Sequence, residues 1–371
     1  MSHTFTIGVD FHTWDGIFQG ARSHVLGLYK AAIRQAPDIR FVFFLEDTAS
    51  LRAQHPEFSL PNVELVVMGH GSGTKRLALQ LPWLRWRHGV DILHTQYRVP
   101  LIPMGKTACT LHDVLVESHP QFFTPSFVRA FKLTSRMAIR MASALFTVSE
   151  FSRSQLALLG ARDVAVTYNA VDTSRFYPGD DGADLVRAQG LTPGQYIATI
   201  GRLEPRKNHV SLVQAWDRLG PDAPPLVIVG QRDFSFDEVF KAIAKVARPD
   251  KVHVLEKVDD RSLPAVMRHA ALFVYPAFAE GFGMPVAEAM ASGVPVITSN
   301  TTSLPEVAGD GAVLVDPADV ASIHAGMARV LADAALRAEL VRRASLQVTR
   351  FNWESSAQVL LSRMRQVMGE A

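Results

Sequence analysis

The stretch Glu280-Gly-Phe-Gly-Met-Pro-Val-Ala-Glu288 decides how the chain folds, because it joins a strand pattern to a helix pattern through two glycines. Before it, Ala271–Tyr275 is apolar and rich in aromatic and β-branched residues, which predicts a buried strand. Gly281 and Gly283 permit a tight turn, and Pro285 is favoured in the first turn of a helix. The stretch therefore predicts a strand, a glycine loop and a helix whose N-terminus can bind a phosphate.

Two carboxylates flank this glycine loop. Glu280 is expected in the loop and Glu288 about one turn inside the helix, both near the predicted phosphate site. Carboxylates in such places can accept hydrogen bonds from sugar hydroxyls, as an acidic residue does for ribose in dinucleotide-binding folds. An ordinary strand-to-helix turn with a solvated glutamate is the alternative at this point, because a glycine-rich turn alone is a weak motif.

The composition is that of a globular protein in a reducing compartment. The length of 371 residues favours two domains, and 48% hydrophobic with 20% charged residues excludes a disordered chain. The net charge of +2 says little about partners, and the single cysteine, Cys109, excludes a disulfide framework. Because long apolar runs and a secretory signal are absent, a cytoplasmic location is expected, with peripheral contact at the inner membrane face left open.

Strand and helix patterns alternate along both halves of the chain. The first series runs from Thr4 to Tyr168, and a polar stretch rich in Gly, Pro and Asp, Asp172–Gly194, follows as a predicted linker. The alternation restarts at Tyr196. The pattern predicts an α/β fold of two doubly wound parallel sheets, with a ligand cleft between the domains beyond the carboxyl ends of the strands.

Two basic segments occur in the first half. Residues 69–90 contain no acidic residue, and their predicted helix carries Lys75, Arg76, Trp83, Arg85, Trp86 and Arg87. A basic amphipathic helix with tryptophans predicts a surface that faces anionic lipid. The predicted helix Phe127–Met141 is a second, weaker candidate, with Arg129, Lys132, Arg136 and Arg140 at helical spacing. A helix packed on the core with a solvated charged side is the alternative for both segments.

Cations and a histidine are the candidates for chemistry. The run Gly201–Asn208 puts Arg202, Arg206 and Lys207 after the first strand of the second domain, where they would neutralise a diphosphate leaving group without a metal. The sequence has no HxxH, CxxC or clustered aspartates of the kind that form a dedicated metal site. His112 ends a predicted strand of the first domain and could polarise the reacting centre, with a structural role as the alternative.

Taken together, these motifs resemble glycosyltransferase family 4, whose members are retaining enzymes of the GT-B fold. The further segments that carry the resemblance are Thr110–Asp113, Val148–Ser152, Asn169–Asp172, Ser303–Asp310 and Asp316-Pro317. The resemblance spans nearly the whole chain and is strongest between Tyr196 and Pro317. It implies two Rossmann-like domains. The acceptor-binding domain would consist of residues 1–175 together with a C-terminal helix, about 352–371, that crosses back to it. The nucleotide-sugar-binding domain would consist of residues 190–350.

The resemblance also implies the roles of individual residues. Arg202 and Lys207 would hold the diphosphate as it leaves, and His112 would support the charge that develops at the transferred sugar. Glu280 would contact the donor hexose, completing the catalytic set, and Glu288 would bind the ribose. Further donor contacts would come from Gly281, Phe282, Gly283, Met284, Gly16 and Gly20. The N-terminal loop reads Asp15-Gly-Ile-Phe-Gln-Gly20 and departs from the family's paired glycines, which leaves its contacts open.

The reaction that the resemblance implies is retaining transfer of a hexose from a nucleotide-diphosphate sugar to a glycan or lipid-linked oligosaccharide in cell-surface polysaccharide synthesis, such as lipopolysaccharide. Mannose, from GDP-mannose, is the first choice because Glu204–Asn208 looks like the corresponding run of bacterial mannosyltransferases. No cofactor, metal or nucleic-acid partner is expected. The alternatives are a soluble-acceptor synthase of the same fold, a sugar-nucleotide epimerase and a catalytically silent, nucleotide-sugar-binding partner subunit.

Overall fold

The computed structural model describes residues 4–16, 19–69, 71–102 and 104–369. The chain divides into two compact units. The first unit comprises residues 1–170 with 352–371, and the second unit comprises residues 171–351. The domain bounds drawn from the sequence, 1–175 and 190–350 with a returning helix from about 352, lie close to this division.

The first unit is built on a seven-stranded parallel sheet with the order β3-β2-β1-β4-β5-β6-β7. The strands are β1 (Thr6–Asp10), β2 (Arg40–Leu45), β3 (Val63–Val67), β4 (Ile92–Gln96), β5 (Lys106–Thr110), β6 (Ala144–Thr147) and β7 (Val164–Val166). The central strands are buried throughout, because helices cover both faces of a doubly wound sheet. The strand order reverses between β1 and β4, which is where such sheets bind ligands.

The helices of the first unit mostly follow the sequence-based prediction. They are α1 (Gln19–Gln35), α2 (Thr48–Gln54), α3 (Gly73–Lys75), α4 (Leu81–Arg87), α5 (Leu115–Ser118), α6 (Pro125–Met141) and α7 (Glu150–Leu158). The predicted helix Lys75–Arg87 is interrupted by a π-helical segment, Arg76–Gln80, between α3 and α4. Strand β5 ends at Thr110, earlier than predicted, so His112 lies in the connection that follows it.

The second unit is built on a six-stranded parallel sheet with the order β10-β9-β8-β11-β12-β13. The strands are β8 (Ile197–Ile200), β9 (Leu226–Val229), β10 (Val252–Leu255), β11 (Leu272–Tyr275), β12 (Val296–Ser299) and β13 (Ala312–Val315). The helices are α8 (Ala183–Ala188), α9 (His209–Asp217), α10 (Asp237–Ile243), α11 (Ser262–Arg268), α12 (Met284–Ala291), α13 (Leu304–Ala308), α14 (Val320–Ala332) and α15 (Ala334–Val348). Two doubly wound parallel sheets therefore confirm the predicted architecture.

The last helix, α16 (Trp353–Met368), packs on the first unit. Its residues Ala357, Leu360, Leu361 and Met364 join the core that lies under α1. Gly27 of α1 allows this contact, because a Cβ at that position would lie 2.1 Å from the indole ring of Trp353. The predicted C-terminal helix that returns to the first domain is thus present.

The segment predicted as a linker is in fact packed. Residues 172–194 include α8, and the buried guanidinium of Arg268 holds the segment that precedes it. Arg268 donates hydrogen bonds to the carbonyl oxygens of Arg175, Tyr177 and Asp181, at 2.7–3.1 Å, and to the Asp181 carboxylate at 2.8 Å. The interpretation of this stretch as a linker is therefore wrong, because it belongs to the second unit and Arg268 binds its backbone carbonyl groups.

Candidate active site

The stretch Glu280–Glu288 and the strand before it fold as predicted. Strand β11 ends at Tyr275, a loop follows, and α12 begins at Met284. Gly283 caps this helix with φ at 102°, in the region that side chains other than glycine rarely adopt. A Cβ there would also lie 2.6 Å from the side chain of Leu304, so both backbone and space require glycine.

Two hydroxyls hold the glycine loop from the next strand connection. Ser303 Oγ donates to the carbonyl oxygens of Glu280 and Phe282, both at 2.9 Å. Thr302 Oγ1 accepts a hydrogen bond from the backbone N–H of Glu280 at 3.1 Å. The ring of Phe282 is buried against Phe351, with centroids 5.3 Å apart. The loop is therefore held in place by side chains of the protein itself.

Lys207 and Glu280 meet at the carboxyl end of the second sheet. Lys207 Nζ forms a short ion pair with Glu280 Oε1, and the Tyr275 hydroxyl lies 2.7 Å from each of these atoms. Asn208 sets the position of Lys207, the residue before it. Its backbone is left-handed, with φ at 61°, and it is the N-cap residue of α9. Its side-chain amide donates to the carbonyl oxygens of Pro276 and Pro317 at 2.9 and 2.7 Å, which ties three strand ends together.

Arg206 is the second cation at Glu280. Its Nη1 lies 3.0 Å from Glu280 Oε2 and donates to the Ala279 carbonyl at 2.7 Å, while Nη2 donates to Glu204 at 2.7 Å. Burial raises the pKa of Glu280, but Arg206 and Lys207 outweigh burial and lower that pKa to about 2. Burial lowers the pKa of Lys207, with Glu280 opposing this effect. Glu280 is therefore a carboxylate held between two cations.

Arg202 lies apart from this pair. Its side chain is half exposed, and its guanidinium pairs with Asp233 at 2.9 Å. The structure thus brings Lys207 and Glu280 together, with Arg206 rather than Arg202 as the adjoining cation. Because Asp233 is accessible, an incoming phosphate can compete with it for Arg202.

Glu288 lies one turn into α12 and is only partly exposed. Burial raises the pKa of its carboxyl group to about 7, and Arg175 opposes this effect. Within the residues that the structure describes, we find no ion pair to Glu288. The group is therefore poised between its neutral and charged forms near neutral pH.

His112 belongs to the first unit and is buried. Its Nε2 lies 2.6 Å from Oε1 of Gln96, the last residue of β4. Burial lowers the pKa of His112 well below its ordinary value, and the neighbouring His24 and His94 add to this effect. The imidazole is therefore neutral at physiological pH.

The glycines of the N-terminal loop differ from each other. Gly16 is partly buried in a turn, whereas Gly20 is exposed in the first turn of α1, with open space around it. Ile17 and Phe18 between them lie outside the described residues. The predicted donor contacts of this loop stay predictions.

The basic segment divides into exposed and buried residues. Lys75, Trp83, Trp86 and Arg87 are exposed. Arg85 is buried, and its guanidinium donates to the carbonyl oxygens of Lys106 and Asp91 at 2.8 and 2.5 Å. Arg76 is mostly buried and lies 3.2 Å from the Asp10 carboxylate. The assignment of Arg76 and Arg85 to a lipid-facing surface is therefore wrong, because both satisfy groups of the fold.

Across residues 4–16, 19–69, 71–102 and 104–369, no group of three or more His, Cys, Asp or Glu side chains is arranged to hold a metal ion. Over the same residues, every helix is too short or too polar to cross a bilayer.

Tyr275 and Gln96 were not predicted from the sequence as site residues. Each is the final residue of a parallel strand, Tyr275 of β11 and Gln96 of β4. The carboxyl ends of parallel strands carry the ligand sites of these folds, so strand-end polar side chains were an available signal. Arg206 was noted as a cation, but its contact with Glu280 depends on the three-dimensional fold.

Family models match both units. Residues 18–175 match the model described as Glycosyltransferase Family 4, and residues 186–347 match the model described as Glycosyl transferases group 1. The chain is 34% identical over 259 residues to the O-antigen chain mannosyltransferase B of Escherichia coli, an alignment that covers 68% of each protein.

Solved structures agree on the fold. Sucrose-phosphate synthase from Thermosynechococcus elongatus superposes with a TM-score of 0.79 at 19% identity, covering 99% of this chain and 100% of that one. Anabaena Alr3699/HepE in complex with UDP and glucose gives a TM-score of 0.74 at 19% identity, with 98% and 100% covered. These likenesses confirm the predicted fold class.

Proposed function

We propose, from the premise that this chain belongs to glycosyltransferase family 4, that it transfers a mannosyl group from a nucleotide-diphosphate sugar to a growing glycan in O-antigen-type polysaccharide synthesis. The chain is a hexosyltransferase by family, and its relative in Escherichia coli is named a mannosyltransferase. The observation that carries the proposal is the Lys207–Glu280 pair beside the glycine loop, inside the matched residues 186–347.

Departure of the diphosphate is the step that these residues assist. When the bond between the anomeric carbon and the diphosphate oxygen breaks, negative charge develops on the diphosphate. Lys207 is already held in place by Glu280 and Tyr275, so it stabilises this charge without having to reorganise. Arg202 would exchange Asp233 for a phosphate oxygen. With two cations at the leaving group, we propose that the reaction needs no added metal.

Glu280 has a binding role in this scheme. Both of its carboxylate oxygens are engaged, Oε1 by Lys207 and Tyr275 and Oε2 by Arg206. A carboxylate neutralised in this way is a weak nucleophile, so the double displacement of retaining glycosidases is a poor model. We propose instead that the acceptor attacks from the face that the diphosphate leaves, with retention. His112, neutral and buried, would form one hydrogen bond with the transferred sugar.

A thermal-shift panel tests the donor. GDP-, UDP-, ADP- and dTDP-linked sugars are added to the full chain, each with and without Mg²⁺. We expect GDP-mannose to raise the unfolding midpoint, equally in both conditions, because ligands that bind only the folded state stabilise it. A response to another donor alone would reject GDP-mannose, and a response only with Mg²⁺ would reject metal independence. Silence of the whole panel, with no transfer in direct assays, would contradict the proposed function.

The ribose contact proposed for Glu288 predicts a pH dependence. The carboxylate accepts hydrogen bonds from ribose hydroxyls best when ionised, and its pKa is about 7. We therefore expect donor affinity to fall as the pH drops from 8 to 6, and Glu288→Gln to bind weakly at every pH. Calorimetric titration of the donor across this range is the measurement. A wild-type affinity that stays constant would reject the contact.

The raised pKa of Glu288 also predicts that the stability of the fold decreases as the pH rises, whereas donor affinity is expected to increase. Its folded pKa of about 7 exceeds the ordinary value of 4.5, so its stabilising contribution is present below pH 4.5 and is lost as the pH rises through 7. Glu288→Gln should therefore raise the free energy of unfolding at pH 8 by about 1–2 kcal/mol, and the difference should vanish near pH 4.5. Chemical denaturation at both pH values checks this, and a destabilised variant at pH 8 would contradict it.

We also propose that the exposed part of the basic segment contacts an anionic membrane. Leu79, Trp83 and Trp86 are 64, 57 and 71% exposed, and their spacing of four and three residues puts them on one side of the helical segment. Lys75 and Arg87 are exposed at its two ends. Exposed tryptophans flanked by cations suit the headgroup region of anionic lipid, where a lipid-linked acceptor would be found.

Removing both tryptophans tests this surface. Trp83→Ala with Trp86→Ala should weaken binding to vesicles containing anionic lipid by about tenfold, because the buried apolar area is lost. Donor affinity should stay unchanged, since neither tryptophan is among the residues assigned to donor binding. Leu158→Ala, at a position 79% exposed, is the matched control. Vesicle co-sedimentation is the measurement, and equal binding of all three proteins would refute the membrane proposal.

A further inference from the structure

Two consecutive residues contact the ring of His112. Gln96 Oε1 lies 2.6 Å from His112 Nε2, and the Tyr97 ring packs on the imidazole with centroids 5.2 Å apart and planes at 36°. Successive side chains of a strand point to opposite faces, so neighbours do not normally reach the same group. Both reach His112 because Tyr97 leaves the extended conformation, with φ at 59°.

This backbone conformation is unusual for Tyr97. Residues with bulky side chains rarely have positive φ, and the residues that do so cluster at functional sites. The turn is closed by hydrogen bonds from Arg98 N–H to the Gln96 carbonyl at 2.7 Å and from Tyr97 N–H to the Thr110 carbonyl at 2.9 Å. The Tyr97 ring also packs on Phe131, with centroids 6.1 Å apart. The surrounding structure therefore enforces the strained conformation.

His24 approaches the imidazole as well. The rings of His24 and His112 lie edge to face, with centroids 4.9 Å apart. His24 Nδ1 is 2.8 Å from Asn169 Oδ1, and both side chains are buried. The ring of His112 is thus contacted by Gln96 at one nitrogen, by Tyr97 on its face and by His24 in an edge-to-face arrangement.

The contact with Gln96 selects one tautomer. With the Gln96 amide oriented so that Oε1 faces His112 and its own Nε2 is buried without a partner among the described residues, the oxygen accepts the hydrogen bond and the proton of the neutral imidazole is on Nε2. Nδ1 then carries the lone pair and is the only acceptor of the ring. A histidine of this kind can accept a hydrogen bond from a sugar hydroxyl but cannot donate one from Nδ1.

We infer that Gln96 and Tyr97 are positioning residues that lock His112 as the Nε2–H tautomer, so that Nδ1 serves as a hydrogen-bond acceptor for a hydroxyl of the transferred sugar. This inference rests on the proposed function for its role in transfer. The tautomer itself depends on the orientation of the Gln96 amide and not on the reaction. The strain at Tyr97 is what allows one short segment to fix both the proton position and the plane of the ring.

Nitrogen-15 NMR of the histidine side chains in the full chain tests the tautomer. The His112 signals are assigned by their loss in His112→Gln. We expect Nε2 protonated and Nδ1 unprotonated in the wild type, and a mixture of tautomers in Gln96→Leu. Gln121→Leu, an exposed position in the same unit, is the control and should leave the spectrum unchanged. A wild-type Nδ1–H tautomer, or a spectrum of Gln96→Leu identical to that of the wild type, would overturn the inference.

Kinetics test the positioning role. Gln96→Leu and Tyr97→Leu should lower kcat by about a hundredfold with donor KM within about twofold, because the donor stays bound while His112 is misplaced. Tyr97→Phe should retain most activity, since it keeps the ring. A parallel loss of kcat, donor affinity and thermal midpoint would show a merely structural role and overturn the inference. If no donor is turned over by the wild type, the proposed function fails, while the NMR result still decides the tautomer.

Discussion

Lys207→Ala is expected to lower kcat for mannosyl transfer by about 100- to 1,000-fold, which is the loss found when one preorganised charge-stabilising group is removed. Lys207 is the better-held of the two cations proposed for the diphosphate, because Glu280 and Tyr275 fix its ammonium group. The fold should persist, since Glu280 keeps its contacts with Arg206 and Tyr275 and is not left as an unpaired buried charge.

Steady-state kinetics and the thermal midpoint of the purified variant check this expectation. Lys241→Ala is the matched control, because Lys241 is an exposed lysine of the second unit whose ion pair with Glu238 lies on the surface. Its activity should equal that of the wild type. If Lys207→Ala turns over within a few-fold of the wild type, Lys207 does not stabilise the leaving group.

Gly230→Ala should destabilise the protein strongly. Among the glycines of the second unit without a positive φ, we expect its replacement by alanine to have the largest effect. A Cβ at Gly230 would lie 1.9 Å from the carbonyl oxygen of Gly201 and 2.7 Å from its carbonyl carbon. Both neighbours are backbone, so the ends of β8 and β9 must separate. We expect the free energy of unfolding to fall by roughly 3 kcal/mol or more. Donor affinity should fall too, because Arg202 directly follows Gly201.

The control is a glycine with the opposite properties. Gly220 has φ at 86° but open space around the position of a Cβ, so Gly220→Ala should cost only about 1 kcal/mol and leave donor binding unchanged. Denaturant unfolding and donor titration of both variants make the comparison. Equal losses in the two variants would show that the close approach of β8 and β9 is not what requires Gly230.

The sequence predicted those features that depend on short spacings. The arrangement of β11, glycine loop and α12 follows from an apolar run, two glycines and a proline within some fifteen residues. The two parallel sheets follow from the alternation of strand and helix patterns. Each of these signals is local, because neighbouring residues impose the same conformation that the fold later uses.

Features that depend on distant partners could not be predicted. Arg202, Arg206 and Lys207 are equivalent cations in the sequence, and the left-handed backbone at Asn208 helps decide which of them reaches Glu280. Arg85 looks like its exposed neighbour Arg87, yet it is buried and donates hydrogen bonds to the carbonyl oxygens of Asp91 and Lys106. Burial of an arginine is decided by acceptors that only the tertiary structure brings near.

The return of α16 to the first unit has a consequence for biosynthesis. Residues 171–351 form one continuous unit, whereas the core under α1 needs side chains between Ala357 and Met364. During translation, all residues of the second unit therefore emerge from the ribosome before the core of the first unit can be completed. Until α16 has emerged, the apolar side chains of the first unit that contact it stay uncovered. The unit whose translation begins first is therefore completed last.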